Sequence, residues 1–96
     1  MTTRTIPLPT GQAHIKFRAN LDGHSVRVRL NWLERYGYYT ADLEIDGEPA
    51  ANGRALHPGV DLLDATDVAG RLYLDGKQPR PGNLNVANKL RYEEPA

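Results

Sequence analysis

From Ala13 to Ile45 hydrophobic and polar residues alternate with a period of two, the pattern of strands that bury one face and expose the other. Asp22-Gly23 interrupts the alternation once, and Asp-Gly tolerates the positive φ angles of a two-residue hairpin turn. Counting outward from that turn pairs Leu21 with His24, Ala19 with Val26, Phe17 with Val28, Ile15 with Leu30 and Ala13 with Trp32. The intervening pairs are polar: Asn20 with Ser25, Arg18 with Arg27, Lys16 with Arg29. A register wrong by one residue would mix the two faces.

A four-residue loop at Glu34-Arg35-Tyr36-Gly37 carries the pattern into a third strand. Trp32 then faces Tyr39, Leu30 faces Ala41, Val28 faces Leu43 and Val26 faces Ile45, while Arg29 meets Asp42 and Arg27 meets Glu44 on the polar side. Asp46-Gly47 and Asp75-Gly76 read as two further hairpin turns. Beyond Gly47 the alternation weakens. Pro49 marks an edge or a bulge, Arg54 to Leu56 suggests a short strand, and Val60 to Leu63 suits one helical turn or an irregular crossover. Arg71 to Asp75 reads as a strand with Leu72 and Leu74 inward, and Leu84 to Tyr92 as another with Leu84, Val86, Leu90 and Tyr92 on one face. The polar loop Asp75 to Gly82 separates them.

No stretch forms an amphipathic helix long enough to cover the apolar face, so a second sheet must do it. The expected fold is all-β: a small antiparallel β-sandwich or barrel of about six strands, beginning with a three-stranded meander. Residues 1–96 make one domain, with extended, loosely tied tails at 1–11 and 93–96.

Twelve Lys and Arg balance twelve Asp and Glu, which argues against an electrostatic nucleic-acid trap. The balance is uneven along the chain. Residues 1–35 hold six cations and two anions, and residues 36–75 hold two cations and eight anions. The strand pairing explains this as an exposed sheet face whose acidic third strand offsets the basic first hairpin. Lys16 and Arg18, on the outer strand, remain the better candidates for contact. There is no cysteine, hence no disulfide framework and no thiolate site. Met1 to Thr10 lacks the basic start and apolar run of a signal peptide, and no apolar run approaches the length of a membrane span, so the expected setting is the cytosol or a particle assembled there.

Catalytic and metal chemistry find little support. His14, His24 and His57 stand at no ligand spacing from a carboxylate or from one another. Asp61, Asp64 and Asp67 lack the glycine and terminal glutamate of a calcium loop and read as a solvated turn. With one serine and no phosphate-loop pattern, the expectation is no enzyme, no cofactor and no metal. Tyr36 and Tyr38, clustered with Arg35 at a hairpin tip, read as protein-contact aromatics, whereas Trp32 and Tyr39 belong to the core. The alternative use of such a tip is a free-standing β-barrel module for single-stranded nucleic acid, which Asp42 and Glu44 oppose.

Several stretches together resemble the central plug protein of contractile-tailed phage baseplates, as found in cyanophage and related baseplates. They are Ile6-Pro7-Leu8-Pro9, the Leu21-Asp22-Gly23 hairpin leading into Val26 to Trp32, and Tyr38-Tyr39 through Asp46-Gly47-Glu48-Pro49. Pro58-Gly59-Val60-Asp61-Leu62-Leu63 and Leu90-Arg91-Tyr92 complete the set. The loops Ala65 to Gly70 and Lys77 to Gly82 depart from the pattern. The resemblance implies a virion protein assembled in the host cytoplasm, present in several copies on the baseplate axis and tying hub and spike to the tail tube until contraction. Extended ends that dock on neighbours suit that role, and Arg4, Ile6, Leu8, Leu90 and Tyr92 are the expected contact residues there. Removal of Met1 to Pro9 is accordingly expected to spare the fold and to abolish incorporation into baseplates.

Overall fold

The computed structural model describes residues 3–64, 66 and 68–95. Seven strands run β1 Thr3–Ile6, β2 His14–Leu21, β3 His24–Leu33, β4 Tyr38–Ile45, β5 Glu48–Ala55, β6 Arg71–Gly76 and β7 Asn88–Glu93. They form two antiparallel sheets, β2-β3-β4-β5 and β1-β7-β6, packed as a sandwich and not closed into a barrel. The radius of gyration, 12.4 Å, is that of a compact chain of this length.

The meander has the register that the alternation predicts. Phe17 stands opposite Val28, Val28 opposite Leu43, and Arg18 opposite Arg27, while Lys16 faces Arg29 and Arg27 faces Glu44. Asp22 and Gly23 have φ of 51° and 79°, and Asp46 and Gly47 have 52° and 87°, so both dipeptides make the left-handed turns expected of them. Glu34 to Gly37 is the predicted four-residue loop, closed by the Gly37 N–H donating to the Leu33 carbonyl at 2.7 Å. Inward residues of both sheets make one core. Ile15, Val26, Val28, Leu30, Tyr39 and Leu43 come from the large sheet, and Leu72, Leu74, Leu90 and Tyr92 from the small one. Trp32 packs edge-on against Tyr39, ring centres 5.1 Å apart.

β5 is the edge strand that Pro49 suggests, and its pairing with β4 shifts register twice. Residues 56–62 then cross between the sheets and cover the outer edge of β6. Pro58 bridges Leu74, the Gly59 N–H donates to the Leu74 carbonyl at 2.9 Å, and the Leu62 N–H to the Leu72 carbonyl at 2.7 Å.

Three expectations need correction. The N-terminal segment is not a loose tail, because β1 pairs with β7 from Thr3↔Glu93 to Ile6↔Leu90 and Leu8 enters the core. This four-residue strand, added at the edge of the small sheet, is how six expected strands become seven. Asp75-Gly76 is not a turn. β6 continues through Gly76, paired with Asn88, and that glycine is required by a close approach: a Cβ there would lie 2.5 Å from the Ala87 carbonyl oxygen. Finally, β7 begins at Asn88 and not at Leu84. Residues 83–87 turn instead, with the Val86 and Ala87 N–H groups both donating to the Asn83 carbonyl and Asn85 left-handed at φ 64°, so Val86 points to solvent. The buried Asn88 side chain organises this loop by accepting from the Asn85 N–H and donating to the Lys77 carbonyl and to Asn83 Oδ1.

Candidate protein interface

Two surface features gather the exposed candidates. At the tip between β3 and β4, Tyr36 is 66% exposed and lies beside Tyr38, ring centres 6.3 Å apart. His57, from the crossover, extends the row with its ring 5.5 Å from Tyr38, and His57 Nδ1 is 3.1 Å from Gln78 Oε1. The result is a ledge of three rings built from two segments of the chain. Its rings have a polar end and an apolar body, the combination favoured at protein interfaces.

The second feature is the outer face of β2 and β3. Lys16 and Arg18 stand directly opposite Arg29 and Arg27, making a block of four cations. Arg27 is 3.6 Å from Glu44. Arg29 stands opposite Asp42 in register, yet the Asp42 carboxylate accepts instead from the Gly53 N–H at 2.7 Å, where β5 bulges towards it. Among the described residues Lys16, Arg18 and Arg29 form no ion pair. The compensation expected of β4 is therefore incomplete.

The remaining candidates serve the fold. Leu8, Leu90 and Tyr92 are buried, so their side chains are core groups and not docking groups. Ile6 is half-buried against them. Arg4 clasps the two sheets: its guanidinium lies 5.5 Å from the Tyr92 ring centre and donates to the Asn20 carbonyl of β2 at 2.8 Å. Tyr92 donates its hydroxyl to the Ala69 carbonyl at 2.8 Å, and desolvation raises its pKa.

Sequence reasoning missed one pair. His24 Nδ1 donates to Asp46 Oδ2 at 2.7 Å, and Asp46 Oδ1 accepts from the Ser25 N–H at 2.9 Å. The histidine hydrogen bond, followed by the backbone one, holds the Asp46 carboxyl below its ordinary range. The signal was present in the register, for one step beyond Val26↔Ile45 places Ser25 against Asp46. Asp61 and Asp64 are likewise structural. Asp61 accepts from the Leu63 and Leu72 N–H groups, Asp64 receives Arg54 at 2.7 Å, and Asp67 lies outside the described residues. Among the described residues no three His, Asp or Glu gather as a metal site, and no helix is long and apolar enough to cross a membrane.

The architecture defines a small two-sheet β module whose distinctive chemistry is on its surface. Residues 3–95 match the family model of the cyanophage baseplate Pam3 plug gp18, and the chain belongs to that family. It is thus a structural protein of the phage baseplate. No curated protein matches the chain.

Proposed function

We propose that the chain acts as the central plug of a contractile tail, several copies of it lying on the baseplate axis and joining hub and spike to the tail tube. It reaches that position during assembly in the host cytoplasm, needs no cofactor and performs no catalysis. The observation that carries this reading is the extent of the family match: residues 3–95 coincide with one folded unit in which Thr3 pairs with Glu93. The aromatic ledge supports docking on protein, with Tyr36 as its most exposed anchor.

The test is quantitative mass spectrometry of tails purified from cells carrying wild-type or variant genes. Tyr36→Ala should leave the isolated domain folded, since the side chain projects into solvent, and reduce incorporation about 30-fold, the loss expected of an interface anchor worth about 2 kcal/mol. Absence of the wild-type chain from purified baseplates would overturn the plug reading. Normal incorporation of Tyr36→Ala would overturn the ledge alone.

A further inference from the structure

β2 is an edge strand, and its free side is regular. In an antiparallel ladder successive residues direct their backbone groups alternately towards and away from the neighbour. Leu21↔His24 closes the two-residue hairpin, and the Trp32 N–H donates to the Ala13 carbonyl at 2.8 Å, which fixes the phase at both ends. The N–H and C=O groups of His14, Lys16, Arg18 and Asn20 consequently face outward. Among the described residues only Arg4 meets this row, at the Asn20 carbonyl.

The other edges are guarded. β5 carries Pro49 and two register shifts, β6 is covered by the crossover, and β1 is only four residues long. β2 has eight residues with no proline and no shift in its register. Its guard consists of charge alone.

That charge is arranged at some cost to the hairpin, because Lys16↔Arg29 and Arg18↔Arg27 place like charges directly opposite. On the far side Arg27 is paired with Glu44, whereas Asp42, opposite Arg29, accepts from the Gly53 N–H instead. On the inner face of the same strand Phe17 and Ala19 are only partly buried. A strand laid along β2 would stand beside Lys16 and Arg18 on one face and beside Phe17 and Ala19 on the other.

We propose that β2 accepts an extended segment of a partner protein in which acidic and apolar residues alternate, the acids against Lys16 and Arg18 and the apolar groups against Phe17. Backbone hydrogen bonds supply the hold and the alternating side chains supply the choice. The same cations bar a second copy of this chain, since β2 against β2 would oppose Lys16 and Arg18 to one another again. The partner's place in the baseplate rests on the plug reading; the open edge does not.

Backbone exchange tests it. Purified baseplates and the free full-length chain are incubated in deuterated water, quenched and read by NMR amide by amide. In the free chain the Lys16, Arg18 and Asn20 amides should exchange fast and those of Phe17 and Ala19 slowly. In baseplates the first set should slow by at least about tenfold. A photo-cross-linker at position 18 should then label a segment of another protein with alternating acids. Arg18→Pro removes an outward N–H that the fold does not use, so it should keep the melting temperature and lose incorporation, while Arg18→Lys keeps both.

Fast exchange of these amides in baseplates that contain the chain would overturn the inference and leave the plug reading intact. Cross-linking to a second copy would overturn it also. So would salt-sensitive binding of a single-stranded oligonucleotide that protects these amides and is lost in Lys16→Glu/Arg18→Glu.

Discussion

Gly70 shows how strictly single residues are specified. It adopts φ 95°, and a Cβ there would lie 2.5 Å from the Glu93 carbonyl oxygen and 2.8 Å from the Tyr92 hydroxyl. Neither neighbour can retreat, because both are held on β7. Gly70→Ala should destabilise the domain by about 2–4 kcal/mol, combining left-handed strain with a backbone clash, and denaturant unfolding measures it. Gly37→Ala has open space around its Cβ and should show the backbone component alone, about 1–2 kcal/mol. Asp46 gives a pH-dependent counterpart. Its folded pKa is lowered by His24 and the Ser25 N–H, so the unfolded chain binds the proton more readily. The resulting stability is present above the ordinary aspartate pKa of about 3.9 and is lost as pH falls through the folded value. Asp46→Asn should flatten the acid limb of melting temperature against pH. The sequence contained this pair only implicitly, as one further step of a register, whereas Gly70 had no legible signal because its constraint comes from β7, far along the chain.

Elements differ in how openly the sequence declares them. β2, β3 and β4 could be read because a turn dipeptide fixes the count and period-two alternation checks every rung, from Leu21↔His24 to Trp32↔Tyr39. β1 could not, since four residues, three of them exposed, carry no alternation to read. The alternation at Leu90 and Tyr92 identifies a face without saying what covers it, which is how two core residues came to be expected as contacts. Val86 followed the wrong period because Asn85 turns the chain before β7 starts. Among surface candidates, Lys16, Arg18, Tyr36 and Tyr38 were legible as exposed strand or loop positions, but the third ledge ring, His57, required the crossover geometry. The location of β1 reverses the expectation for truncation. Removing residues 1–9 deletes a strand, the Arg4 clasp and buried Leu8, so it should lower stability sharply. Leu8→Ala alone should cost about 2–5 kcal/mol by chemical denaturation.

The whole molecule is a sandwich without disulfides, so packing and hydrogen bonding hold it. Two buried tyrosines fasten strands to loops: Tyr39 donates to the Gln12 carbonyl at 2.6 Å, and Tyr92 to that of Ala69. Desolvation raises both pKa values. The folded state therefore retains protons that the unfolded chain releases above about pH 10, and stability falls as pH rises past that value. Alkaline unfolding followed by circular dichroism should coincide with ionisation of these two phenols at 295 nm, roughly the phenolate band of a group with pKa above 10. Tyr39→Phe should weaken that coupling at a cost near 1 kcal/mol at neutral pH.

The pairing Thr3↔Glu93 brings the start of β1 and the end of β7 together at one corner, on neighbouring antiparallel strands. Tension applied through those ends loads the four rungs of β1 on β7 one after another, like a zipper, and never all at once. Such a join resists sliding yet peels under modest force. Pulling from that corner therefore strips β1 first and leaves the four-stranded sheet standing.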